Sequence, residues 1–146
     1  MRLFLIKNFK FSELVKTSSK LKNIPDDMNV IDNLCYTAMQ LQRLRDRFGF
    51  AIRVNSCYRS PAVNEAVKGS KNSAHLVGLA ADICAYSGRS VDNAALWQLV
   101  TARMQELDID QAICYTLDGT TNTAVKWIHV GFACDGVPRH QILYSK

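Results

Sequence analysis

Between residues 27 and 48 apolar side chains recur every three or four positions, at Val30, Leu34, Ala38, Leu41, Leu44 and Phe48. That spacing lays them along one stripe of an α-helix, and Gly49 stands where a left-handed residue ends one. Residues 51–55 alternate and carry branched side chains, which predicts a strand. Ser60-Pro61 then offers an N-cap and a first-turn proline for a short helix ending near Gly69. Residues 69–78 are loop by composition, residues 79–85 form a second strand, and Ser90 is placed to cap a long helix running to about Leu107. Nearer the start, residues 9–16 read as an extended piece entering a short helix, with Ser12 as its cap and Glu13 in its first turn.

The last third holds three apolar runs, at residues 110–115, 126–132 and 141–144. The first two flank the polar, turn-rich stretch DGTTNT, the pattern of antiparallel strands joined by a loop. Strands and helices are mixed without regular β-α-β alternation. The expected fold is therefore α+β, an antiparallel sheet flanked by helices, rather than a doubly wound sheet. A chain of 146 residues, 48% hydrophobic, has enough apolar material for one core without covalent staples. With no repeat and no linker, residues 1–146 are expected to form a single domain, monomeric by default.

Charge changes this picture little. The excess of +5 is spread along the chain, and its densest run, Arg43, Arg45 and Arg47, fans out over the long helix as a solvated face. No nucleic-acid recognition motif accompanies it. The five cysteines, Cys35, Cys57, Cys84, Cys114 and Cys134, are an odd and widely spaced set without a CxxC pair. They suit neither a thiolate metal site nor a full disulfide framework, and they point to a reducing compartment. The opening MRLFLIKNF has too short an apolar run for a signal peptide, and no run approaches a membrane span.

Chemistry concentrates in residues 55–83, NSCYRSPAVNEAVKGSKNSAHLVGLAADI. His75 falls in a polar loop and Asp82 inside an apolar strand, flanked by Ala80, Ala81 and Ile83. Burying that carboxylate is costly unless a cation or several hydrogen bonds compensate it. A third candidate is His129 in KWIHVGF, which alternation places on one strand face with Trp127 and Gly131. Alone, His129 reads as a hydrogen-bonded core histidine. With His75 and Asp82 it completes two imidazoles and a carboxylate, a donor set suited to zinc that leaves a fourth position open. Arg59 by itself reads as a surface residue near a turn, Ser73 as a loop cap, Tyr58 as packing, and Asn64 and Glu65 as exposed helix positions.

The runs SCYRSPAVNEAV, GSKNSAHLVGLAADI and WIHVGF, in that order, resemble the signature of D-Ala-D-Ala carboxypeptidase-like zinc peptidases. The likeness is strongest to the short branch found among phage endolysins and bacterial wall enzymes, and extends from FKFSELVKTSS through LQRLRDRFG and IDQAI to RHQILYS. It implies the hedgehog/DD-peptidase fold, with His75, Asp82 and His129 as zinc ligands. It further implies that Arg59 binds substrate and stabilises charge on the scissile carbonyl, and that Ser73 contacts substrate. The implied reaction is hydrolysis of an amide bond in peptidoglycan stem peptides, by a carboxypeptidase or an endopeptidase, with zinc supplying Lewis acidity. The site of action would be the bacterial wall, reached after release from the cytoplasm or as part of a virion.

One element departs from the family's pattern. Relatives place an acidic proton acceptor three positions before the last histidine or on the preceding strand after the DQ element, and here those positions hold Lys126 and Tyr115. Lys126 shares neither the charge for the task nor the face of His129. Tyr115, a phenol with an ordinary pKa of about 10, suits substrate or oxyanion contact better than proton abstraction. The expected catalytic acceptor is Asp118 in LDGTT, swinging in from its loop, or another residue that the pattern does not place, since an aspartate before glycine is most often a turn residue. His140 reads as a surface residue. The alternatives to an active peptidase are a catalytically weakened zinc-holding module for wall recognition or virion structure, and a protein-binding domain on the same scaffold.

Overall fold

The computed structural model describes residues 6–133 and 136–146. Cys134 and the start of the opening apolar run lie outside them. Four helices and five strands follow one another as α1 (Phe11–Leu14), α2 (Met28–Phe48), β1 (Ile52–Ser56), α3 (Pro61–Ala66), β2 (Ala80–Ala85), α4 (Ser90–Ala102), β3 (Ile109–Thr116), β4 (Val125–Phe132) and β5 (Gln141–Ser145). A single 3-10 turn, Ala74–Val77, interrupts the loop between α3 and β2. The strands form one sheet in the order β1-β2-β4-β3-β5.

Helix α2 forms as its spacing predicts. The Asp27 side chain accepts from the Asn29 N–H at 2.8 Å to start it, and Gly49, at φ 79°, ends it. The expected caps of α1 and α4 move by one or two residues. Lys10 occupies the first cap, its N–H held by the Glu13 carboxylate at 3.3 Å, and Ser12 lies inside the helix. Arg89 occupies the second, where Asp92 binds the Arg89 guanidinium at 2.9 Å and the Ser87 hydroxyl at 2.7 Å. Helix α4 stops at Ala102, short of Leu107, because residues 103–108 tighten into turns that end on Asp108 at φ 52°. Those turns still bury Met104 and Leu107. The arginines of α2 are not a purely solvated face: the Arg43 guanidinium donates to the Glu106 carbonyl at 2.6 Å, and Arg47 pairs with the Glu106 carboxylate.

The α+β class stands, with one correction to the antiparallel sheet. β1, β2, β4 and β3 pair antiparallel, whereas β5 runs parallel to β3. The chain leaves β4 at Phe132, opposite Ile109, and enters β5 at Gln141, opposite Gln111, so both ends of the connection sit at the start of β3. A strand entering there can run only alongside β3 in the same direction.

Register divides the sheet into two faces. Val54, Ile83, Ile128 and Cys114 lie in one cross-strand row and Ala81, Val130 and Ala112 in another, all on the face that packs with α2 and α4 into the core. The alternate row reads Ser56, Asp82, His129, Ile113, and turns to the opposite face. Polar chemistry and core thus occupy opposite sides of the same strands.

Candidate metal centre and active-site cleft

Asp82 and His129 are directly paired residues of β2 and β4. Their side chains stand side by side, with His129 Nδ1 2.9 Å from Asp82 Oδ1. His75 arrives from the 3-10 turn and places Nε2 3.4 Å from the same oxygen. The three donor atoms lie within 4.8 Å of one another. The structure therefore brings together the three residues that the sequence singles out.

Several contacts fix His75. The Ser73 hydroxyl accepts from the His75 N–H at 3.2 Å and caps the turn. The His75 carbonyl accepts from the Arg59 N–H at 3.1 Å, and its Nδ1 lies 2.6 Å from the Cys57 carbonyl. A carbonyl only accepts, so Nδ1 carries a proton, which leaves Nε2 as the ring atom facing the carboxylate. That Nε2 is buried and has no hydrogen-bond partner, in a residue only 1% exposed. Behind the turn, Thr37 of α2 donates to the Gly78 carbonyl at 2.7 Å. Gly78, at φ 77°, is close-packed there: a Cβ would meet Leu34 Cγ at 3.0 Å and the Val30 carbonyl at 3.1 Å.

Burial alone would raise the pKa of Asp82. Its interactions with the two histidines, the hydrogen bond with His129 foremost, outweigh it and hold the carboxyl well below the ordinary carboxylate range. The buried His75 Nε2, His129 and the Asp82 carboxylate converge as two imidazoles and a carboxylate, a donor set that would ligate a cation between them. The residues fit a metal ion on that observation. Among the described residues no cysteine joins the group. Burial, followed by the charge of Asp82, pushes the Cys57 thiol far above its ordinary pKa, and burial pushes Cys114 up to about 11.

A cleft of about 560 Å³ opens over the trio, lined among others by Arg59, Lys68, Ser73, Asp110, Gln111, Tyr115 and Arg139. Arg59 Nη2 lies 3.7 Å from Asp82 Oδ2, and Arg59 Nη1 donates to Asn64 Oδ1 at 2.9 Å. Asn64, expected to be exposed, is buried, and its amide also donates to the Ser70 carbonyl at 2.9 Å. Gly69 permits this close packing, since a Cβ there would fall 2.1 Å from Asn64 Oδ1 and 2.6 Å from Arg59 Nη1. Asn23 is a second residue that sequence reasoning missed. Buried between segments, it donates to the Val15 and Tyr58 carbonyls and accepts from the Ser60 N–H at 2.7 Å, fixing the bend that presents Arg59. Local sequence gives no signal for either, because their partners lie on returning loops.

Tyr115 lines the cleft and stacks on Trp127, with ring centroids 4.7 Å apart. Burial, then the charge of Asp82, raises its phenol pKa, with Arg59 opposing. Lys126 covers the Trp127 ring at 4.8 Å and does not line the cleft. Asp118, the expected proton acceptor, is not brought to the trio. Its Oδ1 takes the Thr120 hydroxyl at 2.7 Å, the Thr120 N–H at 2.9 Å and the Thr123 hydroxyl at 2.6 Å, which fastens it into its own turn outside the cleft. His140 likewise lies off the cleft lining. Among the described residues the cleft's carboxylates are Asp82 and Asp110. Asp110 is clasped by Arg139, whose backbone N–H and Nη2 donate at 2.8 and 2.9 Å.

An α+β domain with two imidazoles and a carboxylate converging at the floor of an open cleft has the make-up of a hydrolytic metal centre. The family model for peptidase M15 matches residues 7–130, and the chain belongs to that family, the zinc-dependent, D-Ala-D-Ala carboxypeptidase-like peptidases. No curated protein matches the chain. The matched span holds all three residues of the trio and Arg59, and ends within β4.

Proposed function

We propose that this protein hydrolyses an amide bond in the stem peptides of peptidoglycan, with zinc held by His75, Asp82 and His129. The observation that carries the reading is the buried, partnerless His75 Nε2 directed at the carboxylate that His129 also engages. Bound there, zinc supplies Lewis acidity toward a substrate carbonyl and acidifies water at the site.

The remaining roles fall to the chain's own groups. Arg59, oriented by Asn64, would stabilise the charge that develops on the carbonyl oxygen. Tyr115 keeps its proton at neutral pH, since its pKa is raised, and serves as a hydrogen-bond donor to substrate. Ser73, on the cleft wall beside His75, contacts the peptide. Peptidoglycan is reached from outside a membrane, and among the described residues no helix is long and apolar enough to cross one.

Purified protein supplied with zinc and peptidoglycan fragments should release a new amine detectable by mass spectrometry, and His75→Ala or Asp82→Ala should abolish it. A second reading, a zinc-holding wall-recognition module of weakened activity, draws on the engagement of Asp110 by Arg139 and of Asp118 by its turn. Saturable wall binding with no cleavage across a set of stem peptides would select it and sink the first.

A further inference from the structure

The trio is not at a dead end. A second cavity of about 210 Å³ lies beside the cleft, lined by Lys16, Thr17, Ser18, Asn55, Ser56 and Tyr58 as well as by Arg59, Val63, Val67 and Asp82. Arg59, Val67 and Asp82 also line the larger cleft. Two of those three are the guanidinium and the carboxylate of the proposed site. The two cavities therefore flank the Arg59–Asp82 pair of the proposed site.

Sheet register explains the alignment. Ser56, Asp82, His129 and Ile113 form one row across β1, β2, β4 and β3, on the face away from the core. The smaller cavity lies at the β1 end of that row, beside the segment 16–18, and the larger one extends to the β3 end, where Gln111, Tyr115 and Arg139 stand. A chain lying along the row crosses the strands and passes over Asp82 with room on both sides.

The two halves differ in chemistry. The larger carries Lys68, and Arg139 held by Asp110. The smaller presents hydroxyls and amide from Thr17, Ser18, Asn55 and Ser56, which suit uncharged peptide backbone, and its one cation besides Arg59 is the exposed Lys16. A terminal carboxylate is recognised by fixed, converging donors, as Arg provides when bidentate. Arg59 is assigned to the carbonyl of the cut bond, and Lys16 stands exposed on the rim.

We propose that the cavity beside residues 16–18 is the second half of one substrate groove, holding uncharged peptide beyond the cut bond, so that the protein cuts within a chain rather than trimming its end. This rests on the peptidase function proposed above. Stem peptides blocked at both termini, each paired with its free-ended form, test it with the zinc-loaded protein. Cleavage of blocked peptides at an internal bond, with kcat/KM no lower than for the free forms, is expected. Cleavage confined to free-ended peptides, with loss of a single terminal residue, overturns the inference while leaving the peptidase function intact.

A binding measurement separates it from activity altogether. In the zinc-free protein, a blocked stem peptide should shift the backbone amide NMR signals of Thr17, Ser18 and Asn55 together with those of Gln111 and Tyr115. Shifts limited to the second group, or none, count against a continuous groove. Thr17→Arg, which fills the smaller half, should raise KM at least fivefold for long blocked peptides with its melting temperature preserved, and an unchanged KM overturns the proposal.

Discussion

Asn64 is held in the interior by what it does for its neighbours. Its carbonyl oxygen takes a guanidinium hydrogen bond from Arg59, and its amide reaches the Ser70 carbonyl in the loop that follows α3. Replacing it with alanine strips both partners inside a buried pocket, a loss of about 1–3 kcal/mol in stability. It also frees Arg59 to leave the carbonyl position, and a misplacement near 1 Å costs on the order of a hundredfold in rate. Asn64→Ala is expected to keep its zinc, measured by elemental analysis, while kcat/KM falls. Loss of zinc together with activity would instead make Asn64 a support of the trio. At this scale the convergence of the His75, Asp82 and His129 trio was legible in the sequence, because a carboxylate inside AADIC must be compensated and few residue types can do so. Asn64 and Asn23 were not, since an asparagine on a short helix or in a polar stretch reveals nothing of the carbonyls that fold back onto it. Asp118 misled for the opposite reason: its polar neighbours Thr120 and Thr123 use up the carboxylate locally.

Among the elements, helix α2 and strands β1 to β4 follow from periodicity to within a residue or two, and β5 follows as a strand but not in its direction. Direction depends on where the chain crosses the sheet, which hydrophobic spacing does not encode. The crossing is fastened by Arg139, whose N–H, Nε and Nη2 all donate to Asp110 at the start of β3, and by Gln111 donating to Gln141 at 2.6 Å. The hydrogen bonds from Arg139 hold Asp110 below the ordinary carboxylate range against a smaller effect of burial. A carboxyl whose native pKa is depressed contributes stability that is present above its unfolded value, about 3.9, and is lost as pH falls through the lower native value. Asp110→Asn is therefore expected to lower the unfolding midpoint at neutral pH and to flatten its decline on acidification. Denaturant titrations from neutral to acid pH check this, and parallel curves for the two proteins would show that the clasp is not linked to β5 docking. Because Arg139 is largely exposed, the difference is expected to shrink in high salt.

At the scale of the whole molecule, the trio draws on three separate elements of the chain. His75 belongs to the 3-10 turn held by α2, Asp82 to β2, and His129 to β4. The three are assembled only when the sheet is in register and α2 is seated against Gly78, so a metal that needs all three binds the folded state alone. Linkage then requires binding to add stability, by about 2.7 kcal/mol when free zinc stands at roughly one hundred times its dissociation constant. For a domain of this size that corresponds to a rise of several degrees in the melting temperature, on the order of 4–8 °C per kcal/mol for small domains and about 2–4 °C for larger ones. Zinc is expected to raise the melting temperature of the native sequence in a concentration-dependent way, and a chelator should reverse the rise. His75→Ala, measured alongside, should melt at one temperature whatever the zinc concentration. A rise of equal size in both proteins would place the stabilising zinc away from His75, and with it the metal centre away from the cleft floor.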